Sequence, residues 1–257
     1  MSAALVRQIQ PLEWDATRNE PFLRLPAPLS HIILTPPRPS DAEAMVEPMN
    51  DPKVYIGLRS PPWPFTLEHG QSRNNKIVDD WHDQLRGLEE AAMQGEDAPL
   101  VTFAFSPVRC IRDTSGESQL YLGDFHLGRT TFDWEVNEVK RKGLADANAA
   151  LPAGDPNIIY TIGYWLRSSH HGQGIMSAVA KAIITQWVIP RMNARHFLPG
   201  TFQDNAASAK VFIKLGFKHY GFFPNVMQVK ARGEFPAQMR SLNIWELKVD
   251  DEGNPAE

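Results

Sequence analysis

The sequence holds a single cysteine, Cys110, in 257 residues. One thiol cannot close an internal disulfide or by itself build a zinc site, so a disulfide-stapled scaffold is excluded and a reducing compartment is the expectation. Long apolar runs are also missing; none approaches the roughly 20 residues that span a bilayer. Met1 to Gln10 lacks a continuous hydrophobic stretch and makes a poor signal peptide, so a cytoplasmic location without membrane attachment is expected. Positive charge is not in excess. The 26 Lys and Arg are outnumbered by 30 Asp and Glu, giving a formal charge of −4 with the signs mixed along the chain. Tracking nucleic-acid phosphates needs a concentrated basic face, so nucleic acid is not an expected partner. Repeats, heptads and low-complexity tracts are absent as well, which excludes solenoids and coiled coils.

What is present is an ordinary globular composition, 42% hydrophobic and 22% charged, sufficient for a buried core. Residues 1–30 carry four prolines and little periodicity, and read as an irregular N-terminal arm. A single mixed α/β domain over 31–250 follows, and 251–257 read as a C-terminal tail. His31 to Thr35 is a short strand, and a helix capped by Ser40 or Asp41 ends before Asn50-Asp51-Pro52. Pro61, Pro62 and Pro64 fix an extended loop around Trp63. Thr66 opens a helix whose Ile77, Trp81, Leu85 and Leu88 form one apolar stripe. Val101 to Ser106 and Gln119 to Leu127 alternate with period two and read as an antiparallel hairpin. Residues 129–157 are mostly polar and read as an inserted loop, with a short helix near Trp134 to Lys142.

Ile158 to Leu166 is too apolar to be half exposed and reads as a central strand, kinked at Gly163. A polar turn, Arg167 to Gly174, leads into a helix of apolar period 3.6 that begins at Ile175 and ends at Pro190. Gly172 and Gly174 sit where strand passes into helix. Glycine there permits positive φ and leaves no Cβ in the way of a phosphate that the amide N–H groups could bind. A dinucleotide-binding oxidoreductase would need a third glycine and an acidic ribose ligand, and both are lacking. His170 and His171 are adjacent, so their rings diverge, and no third ligand is near; no metal is expected.

A second strand follows, then Asn205-Ala-Ala-Ser208 and Val211-Phe-Ile-Lys-Leu-Gly-Phe217. With Ser169-His-His-Gly172-Gln-Gly174, this run resembles the GNAT (Gcn5-related N-acetyltransferase) superfamily, most closely its ribosomal-protein-alanine and fungal small acetyltransferase branch. The resemblance covers about 158–222 and extends over 31–127 in the order of elements. It implies a mixed, mostly antiparallel twisted sheet with flanking helices and a splayed parallel pair, Tyr160 to Leu166 and about His196 to Phe202. It further implies acetyl-CoA as cofactor, with its pantetheine lying between those strands against Tyr164, Trp165 and Leu166. The pyrophosphate would lie on His171, Gly172, Gln173, Gly174 and Ile175, with Asn205 and Ser208 contacting the cofactor.

The activity implied is acetyl transfer to a primary amine of a small molecule or peptide N-terminus by direct attack, in a monomer or homodimer. Ser208 would protonate the departing thiolate, since the tyrosine of many members is here Phe212. Asn205 also reads as a helix N-cap. The family's usual glutamate in the central strand is Thr161, and the usual Gln or Arg of the turn is Ser169. Asp124, His126 and Glu246 are left as proton acceptors, with Asp124 and His126 on one strand face. His126 and Trp63 are candidate acceptor-site residues. The missing glutamate and tyrosine equally allow a non-catalytic acyl-CoA-binding protein on the same fold. Cys110 has no companion base, so a covalent route through it is not expected.

Overall fold

The computed structural model describes residues 2–255, and the last two residues of the expected tail lie outside them. The chain order is α1 (Ala3–Ile9), β1 (Glu13–Asp15), β2 (Glu20–Arg24), β3 (Ile32–Thr35), α2 (Asp41–Ala44), α3 (Val46–Met49), α4 (Pro52–Tyr55), α5 (Leu67–Met93), β4 (Cys110–Asp113) and β5 (Leu120–Arg129). Next come α6 (Glu138–Ala150), β6 (Ile159–Leu166), α7 (Ile175–Ile183), α8 (Ile189–Met192), β7 (His196–Phe197), β8 (Gly200–Phe202), α9 (Ala206–Lys214), β9 (Lys218–Val229) and β10 (Gln238–Lys248). The strands form one sheet in the order β1-β2-β3-β4-β5-β6-β7-β10-β8, with β9 also on β10. Every pairing is antiparallel except β6 with β7, as the mixed α/β expectation has it.

The parallel pairing is short. Ile159 faces His196 and Tyr160 faces Phe197, and the Leu198 amide donates to the Tyr160 carbonyl (2.7 Å). Pro199, with no N–H to give, then ends the ladder. β8 resumes on β10, Gly200 opposite Ile244 and Phe202 opposite Leu242, so β10 carries both β7 and β8 while β6 runs on without a partner on that side. Residues Ile162 to Leu166 thus have β5 on one edge and a gap on the other.

Strand alternation sorts β6 between two clusters. Tyr160, Ile162 and Leu166 join the main core with the buried face of α7, Val211 and Phe212 of α9, and Phe125 of β5. Trp165 points the other way, into a smaller cluster with Met45, Met49, Val54, Phe65, Cys110 and Tyr121. Asp124 and His126 pair across β5 with Trp165 and Gly163, which places them on that second face.

Five expectations are corrected. The first thirty residues are not an irregular arm: Ser2 caps α1 by accepting from the Leu5 amide, β2 extends the sheet beside β3, and Ile9, Leu23 and Leu25 are core residues. Their pattern was obscured by four prolines, of which Pro11, Pro26 and Pro28 fall between elements and Pro21 lies in β2. The hairpin partner of β5 is β4, not Val101 to Ser106. Arg112 is buried in β4 because both carboxylate oxygens of Asp41 (2.8 Å each) and Thr35 Oγ1 (2.7 Å) take its protons. That commitment also explains why neither expected side chain starts the helix as written. Ser40 makes no capping bond and Asp41 serves Arg112. Pro190 does not stop the helix after α7; a π-helical turn, Ile184–Val188, carries the helix on into α8, and the hydrogen bond that Pro190 cannot donate is given up beside that wider turn. Within 129–157, α6 is longer and later than expected, capped by Asn137.

α5 forms as read. Thr66 Oγ1 accepts from the His69 amide and His69 Nδ1 accepts from the Thr66 amide, a reciprocal cap. Its Val78, Trp81 and Leu88 are buried. Among the described residues no helix is long and apolar enough to cross a membrane.

Candidate active site

Where β6 parts from β8 a cavity of 1520 Å³ opens. Consecutive residues Thr161 to Leu166 all line it. Because such residues alternate faces, the cavity reaches both sides of the sheet through the gap.

On the α7 side the wall is the turn. Gly172 and Gly174 have φ of 76° and 78°, the left-handed region that other residues enter at a cost, and a Cβ on either would meet nothing within 4 Å. Gly174 is the N-cap of α7 and no side chain caps the helix, so the first-turn amides have no partner within it. His171 donates from Nε2 to the Leu166 carbonyl (2.8 Å), fixing the turn to the end of β6. Ser168 bonds Asp51. Gln173 is the exception among the expected contacts: its Nε2 turns back to donate to the Ser169 carbonyl (3.1 Å), and it does not line the cavity. Lys210 and Lys214 of α9 line the cavity and have no ion pair among the described residues.

Asn205 caps α9 by accepting from the Ser208 amide (3.0 Å) and also lines the cavity. Ser208 Oγ lies 2.7 Å from the Tyr164 hydroxyl, which is 3.2 Å from the Ser208 carbonyl oxygen. Burial raises the Tyr164 pKa, outweighing the Ser208 bond that lowers it. The phenol is therefore protonated at neutral pH.

On the other face, Asp124 is buried and fully engaged. Arg109 donates from Nε to Oδ2 (2.9 Å) and from a terminal nitrogen to Oδ1 (2.7 Å), and Arg73 stands 3.5 Å from Oδ1. Burial alone would raise its pKa, but the charge and hydrogen bonds of Arg109, with Arg73 behind, hold it below the ordinary carboxylate value. An acid so stabilised as its anion is a weak proton acceptor. His126 lines the same wall with its side chain open to the cavity; crowding by the surrounding protein, then the Arg109 charge, shift its pKa downward.

Two expected residues lie elsewhere. Glu246 opens onto a separate hollow, where it bonds His196 Nε2 (2.8 Å) and Lys248 (3.0 Å). β10 aims it there because its neighbour Trp245 turns into the core, donating to Thr201 Oγ1 (3.0 Å). Trp63 packs edge-on against Tyr55, away from the cavity lining. Conversely, Arg109, Arg73 and Asp80 went unnoticed in the sequence. Asp80, on α5, lines the cavity and is the one carboxylate there without an ion pair among the described residues, since Asp133 is held by Arg59. Its place one turn from Lys76 and two turns from Arg73 on a helix face was the available signal. Cys110 is fully buried, and burial pushes its thiol well above the ordinary value, so it is inert.

A family model described as acetyltransferase (GNAT) domain matches residues 31–218. The chain belongs to the GNAT acetyltransferase family. No curated relative matches it by sequence, but solved GNAT-like folds do. Ribosomal-protein-S5-alanine acetyltransferase from Vibrio fischeri is 16% identical, over 88% of this chain and 96% of its own, with a TM-score of 0.57. RimL, a ribosomal L7/L12 alpha-N-protein acetyltransferase in complex with coenzyme A, is 16% identical over 90% and 99%, TM-score 0.57. RimJ of Mycobacterium smegmatis, in complex with CoA-disulfide, is 18% identical over 92% and 90%, TM-score 0.53. At these identities the likeness establishes the fold. In GNAT terms β6 and the β7–β8 segment that parts from it are the splayed pair of that fold.

Proposed function

We propose that this protein transfers an acetyl group from acetyl-CoA to a primary amine by direct attack. The observation that carries the reading is the gap beside β6, continuous with an uncapped helix start and two left-handed glycines on one side and with an acceptor-accessible face on the other. The residues present fit the cofactor. Amides of the α7 first turn, with Lys210 and Lys214, suit phosphates, and the unpaired edge Ile162 to Leu166 offers backbone groups to the pantetheine amides, though the Leu166 carbonyl is already engaged by His171. Acetyl-CoA when bound supplies an activated thioester; the protein holds, orients and protonates.

The amine nitrogen forms a bond to the acetyl carbon, the carbon–sulfur bond breaks, and its electron pair goes to sulfur. The proton lost by nitrogen matches the one gained by sulfur, so no co-reactant is needed. Ser208, on the cavity wall, would donate to the leaving sulfur. With Asp124 held as an ion pair and Glu246 outside the cavity, Asp80 is the carboxylate placed to receive an incoming ammonium. Most of the rate enhancement is assigned to positioning, which in favourable geometry is worth about 7–11 kcal/mol. The likeness to RimL, a ribosomal L7/L12 alpha-N-protein acetyltransferase, favours a peptide N-terminus among acceptors.

Calorimetry with acetyl-CoA, followed by thiol release on a panel of peptide N-termini, amino acids, polyamines and aminosugars, tests the proposal. Binding with release on at least one amine is expected; no binding refutes it. A second reading, a silent acyl-CoA-binding protein, is favoured by the ion pairing of Asp124. It predicts binding with no release on any amine.

A further inference from the structure

We infer that Tyr164 is a positioning residue that sets the direction of the Ser208 hydroxyl hydrogen, an inference resting on the acetyl-transfer reading above. The resemblance offers no such role for this side chain. It comes from β6, not from the helix on which Phe212 replaces the family's tyrosine.

The argument is a count of hydrogens. Tyr164 has one hydroxyl hydrogen and two oxygens of one residue in reach, Ser208 Oγ at 2.7 Å and the Ser208 carbonyl oxygen at 3.2 Å. If the phenol gave its hydrogen to the carbonyl, Ser208 would donate to the phenol oxygen and have nothing to offer the cavity. The 2.7 Å contact is made in both arrangements; when the phenol gives its hydrogen to Oγ, that of Ser208 is free to point at the leaving sulfur. Burial keeps the phenol protonated and so always able to donate. Its ring cannot swing away: Phe125 lies parallel to it with centroids 6.2 Å apart, and Phe212 is tilted against it at 5.9 Å. Ser208 is fixed from the other side by the Asn205 cap (3.0 Å). Both hydroxyl-bearing residues line the cavity.

In the transfer step Ser208 gives its proton to sulfur as the carbon–sulfur bond breaks. The proton shed by the amine replaces it through water, and Tyr164 loses none. Tyr164→Phe removes one oxygen and leaves the ring packing intact, so it separates positioning from structure.

The test uses coenzyme A alone, its thiolate followed by ultraviolet absorbance against pH on the wild type, Tyr164→Phe, Ser208→Ala and the double variant. A donor aimed at sulfur stabilises the bound thiolate, so the bound thiol should titrate about one unit below that of free coenzyme A measured in parallel. Either single variant should return it toward that value, and the double variant should go no further. Affinity for coenzyme A at pH 6, where the thiol is protonated, should be unchanged in Tyr164→Phe; a loss there would mean a structural role and overturn the inference. It is also overturned if Tyr164→Phe titrates like the wild type, if the two single effects add, or if the wild type leaves the bound thiol at its free value. In each case coenzyme A still binds, and the acetyl-transfer reading survives. Failure of the wild type to bind coenzyme A removes both.

Discussion

Replacing Asp124 by asparagine keeps the shape of a buried side chain and removes its charge, and the consequence should be read in stability before activity. Asp124 is 1% exposed and its partner Arg109 15%, so the guanidinium would be left facing an uncharged amide with little water to compensate. Losing one partner of a buried ion pair costs about 3–5 kcal/mol. Asparagine keeps one oxygen as acceptor and Arg73 is relieved of nothing it needs, so the lower end, about 3 kcal/mol, is expected. Against a total of roughly 5–15 kcal/mol this is a large fraction. Urea unfolding at pH 7 should move to a clearly lower midpoint with the same slope. The pH dependence has a definite sign. Because the folded pKa of Asp124 is depressed, the unfolded chain takes up this proton first as pH falls, so the stabilisation is full above the ordinary carboxylate pKa near 3.9 and is lost as pH drops through the folded value. The gap between wild type and variant should therefore narrow in acid. A variant within about 1 kcal/mol of wild type, whose rate profile has lost its acidic limb, would refute the ion-pair reasoning and restore Asp124 as proton acceptor.

Three further outcomes are expected. Gly174→Ala forces an L side chain to φ near 78°, a strain of about 1–2 kcal/mol, and places a methyl in the open cradle; calorimetry should show acetyl-CoA affinity falling at least about tenfold. Asp80→Asn should raise KM for the amine while leaving acetyl-CoA affinity alone, measured by thiol release at varied amine concentration. Glu246→Gln should leave kcat within about two-fold, since its partners His196 and Lys248 lie outside the cavity.

The parts of the site that were legible in the sequence are local ones. An apolar strand, a glycine turn and a helix start occupy consecutive residues, so Ile158 to Ile175 could be read directly, as could Asn205 before its helix. What was not legible depends on partners far along the chain. Arg112 makes sense in a strand only with Asp41 beside it, 71 residues away. Asp124 looked like a free base until Arg109 and Arg73 were brought to it. Glu246 and Trp63 were placed by residue type alone, whereas strand alternation in β10 and packing against Tyr55 decide where they point. Tyr164 was read for its backbone, because nothing adjacent in sequence tells that Ser208, 44 residues on, meets its hydroxyl.

The facing edges of β6 and β8 bear on a different property of the molecule. An unpaired strand edge is a template on which other chains can add, and proteins ordinarily blunt such edges with charge, proline or bulges. Here β10 holds β7 and β8 in line, so the two free edges look at each other across an internal gap. The fold can keep them bare and competent for a ligand while offering neither as an outward seam for aggregation.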